Sequence, residues 1–445
     1  MKVSNKEYFI KLLCVVFYLM ILGRDIIGFN IPSILYSLVW ILIILISDEC
    51  FSTAFTVASV VWFASTLSIT IPIYFYLLIF FLRRKAICKS SIVFCTIAIL
   101  LIEYLKFFQF SDQTVKSFTN SAGVLILVAI ICVFQIKKNT FNPVQILEFF
   151  LMSGFVLSLD ILILTIKYKG TLSVLINSSF RIGLTDFDDA GAVSTMSINA
   201  NGIGLLAIMS IVCVLFLLRS NLCKKTFGYF VLVYFFIIGM LTVSKTFFLF
   251  ICVLFMIMVL NLLKKKSYNP VKVLLIIVLS ATLIFLFTKT SLYNNIILRF
   301  VNSASEGDLT TGRTDVSLEY LSAFSSSNGL EQLLGYGLQN LNRRIGISHS
   351  PHNATIEILA CFGISGLILY LCFFITLLRG IIHYNFIFNC KKVHIIDFLP
   401  FLIYVGYIQA LQFARVTYIY GLIIIVTMCM CLPVKKVVIS NSVEE

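Results

Sequence analysis

Residues 246–266 read TFFLFICVLFMIMVLNLLKKK, an apolar run that ends in three consecutive lysines. A helix needs about 20 mostly apolar residues to cross the hydrocarbon core of a bilayer, and this run approaches that length. Lysine and arginine accumulate in the cytoplasmic loops of membrane proteins, so the lysines mark the cytoplasmic end of the segment. The stretch therefore predicts both a transmembrane helix and its direction.

Apolar runs of this kind recur along nearly the whole chain of 445 residues. Hydrophobic residues make up 60% of the chain and charged residues 12%, whereas ordinary soluble domains contain about 25% charged residues. The mean hydropathy is +1.03. A soluble fold could not bury this much apolar surface, and the length of the runs favours helices over a β-barrel. We predict an all-α, polytopic transmembrane helical bundle that forms a single integral membrane domain over residues 1–445.

The net charge of +14 arises largely from basic clusters that separate the apolar runs. These clusters are Arg83-Arg84-Lys85, Lys137-Lys138, Arg219 with Lys224-Lys225, Lys264-Lys265-Lys266, Lys391-Lys392 and Lys435-Lys436. Their spacing follows the positive-inside rule, which places all of them on the cytoplasmic side. The sequence has no basic groove with interleaved aromatic residues, so nucleic acid is excluded as a partner.

Working outward from these clusters, we predict 12–14 spans with both termini in the cytoplasm. The predicted spans are residues 8–23, 31–47, 51–67, 69–82, 86–104, 118–136, 144–166, 198–218, 228–243, 246–263, 271–288, 354–378, 396–412 and 417–432. The stretch from Phe51 to Leu82 fits one tilted helix or, given Pro72 and the polar residues before it, a short hairpin. The basic N-terminus resembles a signal peptide, but no small-x-small cleavage site follows it, which predicts a retained first span.

Two segments, residues 167–197 and 289–352, are too polar for the membrane and form large extracytoplasmic loops in this arrangement. The second loop is expected to contain an interfacial helix, because Val316, Tyr320 and Phe324 recur at helical spacing. None of the 13 cysteines falls in either loop. The sequence therefore predicts neither a disulfide framework nor a metal cluster.

The residues Ser350-Pro351-His352-Asn353 stand directly before the predicted span 354–378. Ser350 is a good N-cap and Pro351 a good first residue of a helix, so His352 is expected in the first turn. The positive end of the helix dipole disfavours imidazolium at this place. The imidazole of His352 is therefore expected to be neutral and able to accept a proton.

Helical geometry relates His352 to two glycines further along the same span. Gly363 lies within roughly 20° of the face that carries His352, and Gly366 lies close beside it. Small residues along this stripe permit close helix packing beneath the histidine. The residues alone leave two interpretations open, a catalytic base and an interfacial histidine above an ordinary packing seam.

Several motifs follow one another in order between Thr311 and Tyr370. They are Thr311-Gly312-Arg313, Gly335-Tyr336-Gly337-Leu338, His352-Asn353 and, nine residues later, Gly363-Ile364-Ser365-Gly366. This region resembles the signature region of the O-antigen polymerase/ligase family of bacterial envelope proteins. A histidine–amide pair, nine residues and Gly-x-x-Gly form the hallmark of that family, and the match is complete.

Two motifs further upstream extend the resemblance. Asn199-Ala200-Asn201-Gly202, at the start of a span, resembles the family's asparagine motif, and Leu241-Thr242-Val243-Ser244-Lys245 resembles its Ser-Arg motif. Lys245 keeps the positive charge of the usual arginine but lacks its bidentate fork. Gly191 comes one residue too early after Arg181 for the Arg-x10-Gly arrangement of some O-antigen polymerases. The resemblance therefore supports Arg181 less strongly than the other residues.

The resemblance implies a GT-C-like glycosyltransferase whose donor is an undecaprenyl-diphosphate-linked oligosaccharide. His352 would act as the general base of an inverting transfer, while Arg313, Lys245 and Arg181 stabilise the departing diphosphate. Asn353, Asn199, Asn201 and Ser244 would orient sugar or phosphate oxygens. The family is metal-independent, so neither a metal nor another cofactor is expected.

Four other residues of the second loop are further candidates for substrate binding. Arg343 and Arg344 suit a pyrophosphate, although a solvated or headgroup-binding charge explains them equally. Tyr336, between two glycines, suits stacking on a sugar ring or a place at the membrane surface. His349 and His352 have a spacing found in metal sites, but no cysteine or second histidine pair lies nearby, so no metal is predicted.

Three functions remain open for the chain. A polymerase transfers the glycan to another lipid-linked repeat unit, and a ligase transfers it to lipid A core or a protein. The Phe-, Ile-, Lys- and Asn-rich composition favours the polymerase. A lipid-linked oligosaccharide flippase should show broken helices or repeat symmetry, which the sequence lacks. The implied location is the bacterial inner membrane, with the active site on the periplasmic side. The implied partners are membrane lipid and, from the same pathway, a chain-length regulator and a flippase.

Overall fold

The computed structural model describes residues 5–64, 70–84, 90–138, 140–169, 182–183, 200–263, eight positions between 288 and 305, 313–389, 398–411 and 419–431. The helices are α1 (Asn5–Leu22), α2 (Ser33–Ile46), α3 (Glu49–Ser59), α4 (Thr70–Arg84), α5 (Ser91–Gln109), α6 (Val115–Lys138), α7 (Pro143–Lys169), α8 (Ala200–Arg219), α9 (Lys225–Leu241), α10 (Lys245–Leu263), α11 (Arg313–Ser325), α12 (Gly329–Leu334), α13 (Leu341–Ile345), α14 (Ala354–Asn389), α15 (Leu399–Ile408) and α16 (Ile419–Cys431). A π-helical turn, Gly23–Ile27, follows α1, and a 3-10 turn, Val60–Ala64, extends α3. The predicted span 271–288 and the predicted loop 167–197 lie almost wholly outside the described residues.

Five of the described helices, α5, α6, α7, α8 and α14, are long and apolar enough to cross a membrane. Shorter apolar helices accompany them, among them α2, α3, α9, α10, α15 and α16. No described residue lies in a β-strand. These observations confirm the predicted all-α polytopic membrane fold, and the number of 12–14 spans stays a prediction.

The ambiguous stretch from Phe51 to Leu82 forms two helices, α3 and α4, rather than one tilted span. Arg84 at the end of α4 pairs with Glu49 at the start of α3, with 2.8 Å between Nε and Oε1, so the two helices run antiparallel. The Asp48 side chain caps α3 by accepting the backbone N–H of Phe51 at 2.7 Å. The structure thus selects the hairpin, in which an ion pair joins the end of α4 to the start of α3.

Helix α8 lies at the centre of the described helices. In its most apolar window 78% of the residues are buried, more than in any of the other four long helices. Two glycines allow close packing around it: a Cβ at Gly204 would collide with the hydroxyl of Tyr407 in α15, and one at Gly239 in α9 with the ring of Phe247 in α10. This packing fixes the starts of α8 and α10, where predicted site residues lie.

The long helix α14 is interrupted at Gly363, which has φ +68° and ψ −168°. The backbone of Leu333 and Leu334 passes so close that a Cβ at Gly363 would collide with the Leu333 carbonyl. The sequence-based prediction of a continuous stripe from His352 to Gly366 is therefore wrong. Gly363 does permit close packing, but against the backbone at the end of α12. The periodic apolar pattern of the span gave no sign of the break.

Replacement of Gly363 by alanine is expected to destabilise the protein by about 2 kcal/mol or more, because an L-residue is strained at positive φ and its Cβ meets backbone. Thermal unfolding of the purified chain in detergent measures the change. Gly329→Ala is the matched control, since a Cβ there meets nothing within 4 Å. Equal unfolding temperatures for the two variants would contradict the tight contact at Gly363.

Candidate active site

His352 lies just before α14, in a strained backbone conformation with φ +48°, which is uncommon for a residue with a side chain. The helix begins at Ala354, and its N-cap is Asn353. The Oδ1 atom of Asn353 accepts the backbone N–H groups of Thr355 at 3.0 Å and Ile356 at 3.1 Å. The prediction that Ser350 caps the helix is therefore wrong, because asparagine caps equally well and stands nearer the helix.

This capping role leads to a prediction about Asn353. Asn353→Ala is expected to lower the stability by about 1 kcal/mol, whereas Asn353→Asp keeps a capping oxygen and most of the stability. Thermal unfolding of the two variants separates them. Equal destabilisation by both variants would refute the cap.

The ring of His352 is partly buried, and its Nδ1 atom is enclosed without a hydrogen-bond partner. The pKa of His352 is lowered to about 4, chiefly by burial and to a smaller extent by the positive charge of Arg313. The imidazole is therefore neutral at physiological pH, as expected from the sequence. The main cause is burial rather than the helix dipole, since His352 precedes the helix.

Helix α11 supports the segment that leads to His352. The Tyr320 hydroxyl, fully buried, contacts Asn342 Oδ1 at 2.8 Å and the His349 carbonyl at 3.0 Å. The hydroxyl of Ser317 donates to the carbonyl of Pro351 at 3.3 Å. The helix predicted from residues 316, 320 and 324 thus exists, and its Ser317/Tyr320 face holds the residues before His352. Its placement at the membrane surface stays a prediction.

Arg313 begins α11 and joins it to the end of α15. One guanidinium nitrogen donates to the carbonyl of Ala410 at 3.3 Å, while the charge of Arg313 acts on His352. Nearby, the Thr355 hydroxyl of α14 donates to Gln409 Oε1 at 3.0 Å. The starts of α11 and α14 therefore meet the end of α15, and this meeting brings Arg313 and His352 together.

A second group of predicted residues lies at the start of α8 and α10. The Ser244 hydroxyl donates to Asn201 Oδ1 at 2.9 Å, and the Tyr407 hydroxyl donates to the Asn201 carbonyl at 3.3 Å. Lys245, the next residue, is partly buried and is the first residue of α10. Since Tyr407 also lies at the end of α15, the same helix end contacts both groups of candidate residues.

Other predicted residues lie elsewhere or outside the described part of the chain. Arg181 and Asn199 are outside the described residues. The side chains of Arg343 and His349 are exposed. Tyr336 is only 8% exposed, so its ring is packed inside the protein instead of lying open to a sugar.

Arg344 is engaged by the protein itself. Its guanidinium pairs with Asp112, donates to the Tyr336 carbonyl at 2.5 Å and stacks on the Phe110 ring with its carbon 4.0 Å from the ring centroid. The Arg344 guanidinium in turn holds the pKa of Asp112 below its usual value. These contacts give Arg344 a structural role and leave little of its fork for a diphosphate.

Two buried charges near the end of α5 escaped the sequence analysis. Glu103 is 2% exposed and Lys106 is fully buried. Opposite charges three residues apart in an otherwise apolar span, Glu103-x-x-Lys106, are the signal that could have indicated them, since ionisable residues in membrane spans need a specific reason. Their contacts are described below.

The arrangement around His352 suits acid–base and anion-binding chemistry. The guanidinium of Arg313 is near enough to a neutral, partly buried imidazole for its charge to lower the pKa of that ring, so a proton acceptor and an anion-binding group belong to one region. Within the part of the chain that the structure describes, no group of three or more His, Cys, Asp and Glu side chains could hold a metal ion.

Comparison with models of protein families gives a match in the second half of the chain. Residues 230–371 match the family model described as O-antigen ligase. The matched region runs from α9 into α14 and includes Ser244, Lys245, Arg313 and His352. No curated protein matches the chain.

Proposed function

Because residues 230–371 carry an O-antigen ligase domain in a polytopic membrane protein, we propose that the chain polymerises a bacterial cell-surface polysaccharide. The donor is a glycan linked to undecaprenyl diphosphate, and the acceptor is a second lipid-linked repeat unit. The observation that carries the proposal is the contact region of α11, α14 and α15, where a neutral histidine and an arginine lie together within the matched domain.

In the proposed reaction, His352 takes the proton of an acceptor hydroxyl. The hydroxyl oxygen then bonds to the anomeric carbon of the donor with inversion, and the bond from that carbon to the diphosphate oxygen breaks. The proton ends on His352, and lipid diphosphate leaves with the bonding electrons. Metal is not required, because cationic side chains balance the charge of the leaving group.

Donor binding also explains how a histidine with such a low pKa can act as a base. Arg313 lowers the pKa of His352 in the free protein. A diphosphate bound by Arg313 neutralises that charge and adds its own negative charge, so the pKa of His352 rises once the donor is bound. His352 thus becomes basic when the leaving group is in place.

Lys245 and the start of α10 form the second part of the proposed diphosphate site. The first N–H groups of a helix and its dipole attract anions, and Lys245 adds a full charge there. The Asn201–Ser244 contact orders this turn. We assign Arg181 and Asn199 to the same site by resemblance alone, and we place this site on the periplasmic side of the inner membrane.

The family description favours a second candidate, the O-antigen ligase, which transfers the glycan to lipid A core or a protein. Expression in a host that lacks its own polymerase and contains the repeat unit of this chain's own gene cluster separates the two functions. A ladder of polymer on a polysaccharide gel supports the polymerase. Single capped repeats despite folded protein contradict it, and restored transfer of preformed polymer in a ligase-deleted host identifies the ligase.

A further inference from the structure

Lys106 contacts the second large loop, residues 289–352, from within the membrane helix α5. Its Nζ atom donates to the carbonyl of Gly335 and, at 2.9 Å, to Gln109 Oε1. One turn earlier, Glu103 accepts the backbone N–H of Leu338 at 3.2 Å and the Gln113 side-chain amide at 2.9 Å. Two opposite charges of α5 thus bind the two ends of the segment Gly335–Leu338.

The opposite side of this segment is bonded to α14. The backbone N–H of Tyr336 donates to the Ala360 carbonyl at 2.8 Å, and that of Gly337 donates to the Cys361 carbonyl at 2.7 Å. In a continuous helix these carbonyls would accept N–H groups four residues later. The break at Gly363 leaves these carbonyls able to accept from the loop, so the segment Gly335–Leu338 is held between α5 and the first part of α14. We call this set of contacts the clamp.

The contacts of Arg344 extend the clamp toward His352. Arg344 pairs with Asp112 after α5, and Asn340 also donates to Asp112 at 2.7 Å. The four charges at the end of α5 and in the loop, those of Glu103, Lys106, Asp112 and Arg344, balance one another. Removing one of the buried charges would leave the others uncompensated, which is strongly unfavourable.

These contacts restrict the position of His352. In the chain, His352 lies between the held segment Gly335–Leu338 and the part of α14 that is bonded to it. We propose that Lys106 is a positioning residue, which holds the Gly335–Leu338 loop on α5 and thereby sets the place of His352 relative to Arg313. This inference rests on the function proposed above. A directional bond from a buried ammonium to a carbonyl fixes the loop more closely than apolar packing would.

The test compares Lys106→Met, Lys106→Arg and the control Lys116→Met in the full chain, reconstituted with the lipid-linked repeat unit. Lys116 is an exposed lysine near the start of α6, so its replacement removes the same charge without touching the clamp. For Lys106→Met we expect kcat to fall by about 10²-fold, as for a misplaced catalytic group, with KM changed less than about twofold. Lys106→Arg should recover at least about one tenth of the wild-type kcat, and Lys116→Met should match wild type.

Two further measurements separate positioning from simple loss of fold. The acid limb of the pH profile of kcat/KM should move to higher pH in Lys106→Met, because a displaced His352 is less buried and has a higher pKa. Hydrogen exchange at the amides of Tyr336 and Gly337 should accelerate by at least about tenfold, while exchange in α8 stays unchanged.

Each outcome decides between the alternatives. Three results for Lys106→Met would overturn the positioning role. They are a kcat equal to that of wild type, a loss of activity proportional to the amount of unfolded protein, and an acid limb of kcat/KM at the wild-type pH. If wild-type protein itself transfers no glycan, the proposed function fails, and hydrogen exchange alone tests the clamp: unchanged exchange at Tyr336 and Gly337 in Lys106→Met would then refute it.

Discussion

Replacement of His352 by alanine is expected to lower the rate of glycan transfer by about 10²–10⁴-fold, the usual contribution of a general base. The imidazole is neutral in the free protein because burial and the charge of Arg313 lower its pKa to about 4. It can therefore accept the hydroxyl proton over the whole physiological pH range. On a polysaccharide gel from a polymerase-deleted host, the variant should leave single capped repeats in place of a ladder.

The matched control for His352→Ala is His349→Ala. His349 belongs to the same loop, but its side chain is exposed and only its backbone carbonyl bonds to Tyr320. The His349 variant should keep at least about one third of the wild-type rate, since it removes only an exposed side chain and leaves the backbone carbonyl that Tyr320 binds. A ladder restored equally by wild type and by folded His352→Ala protein would exclude His352 as the base.

The sequence predicted the fold class and the candidate residues more completely than the local geometry that holds them. Periodicity and basic clusters were sufficient for an all-α membrane fold, because bilayer crossing depends on length and apolarity alone. The motif match drew attention to Arg313 and His352, and in the structure the charge of Arg313 acts on the His352 ring. The N-cap of α14 was predicted at Ser350, whereas the structure has it at Asn353. Both residue types are good caps, and only packing decides between them.

Two features depend on contacts between distant parts of the chain and could not follow from local patterns. Gly363 looks like one more small residue in an apolar helix until the backbone of Leu333 is placed against it. Lys106 meets Gly335 across 229 residues of sequence, and without that contact it resembles a charge at a helix end. Burial of the His352 ring belongs to the same class, because it depends on how α11, α14 and α15 meet.

Replacement of Arg313 by alanine should lower kcat/KM by about 10²–10³-fold and move the acid limb of the pH profile to higher pH. The rate falls because a group that stabilises the leaving diphosphate is lost. The limb moves because the charge of Arg313 lowers the pKa of His352 in the free protein. Without it this pKa rises above about 4, although burial still holds it below the ordinary value near 6.5, so activity is lost at a higher pH as the solution is acidified.

Arg313→Lys separates the two effects of the guanidinium. Lysine keeps the positive charge, so the acid limb of kcat/KM should stay near its wild-type position. It lacks the planar fork that binds two phosphate oxygens at once, so the rate should recover only in part. The pH dependence of kcat/KM reports the free enzyme, where the charge acts on His352 before any donor is bound. An acid limb at the same pH in wild type and Arg313→Ala, with the rate reduced, would confine Arg313 to the diphosphate and remove its influence on the base.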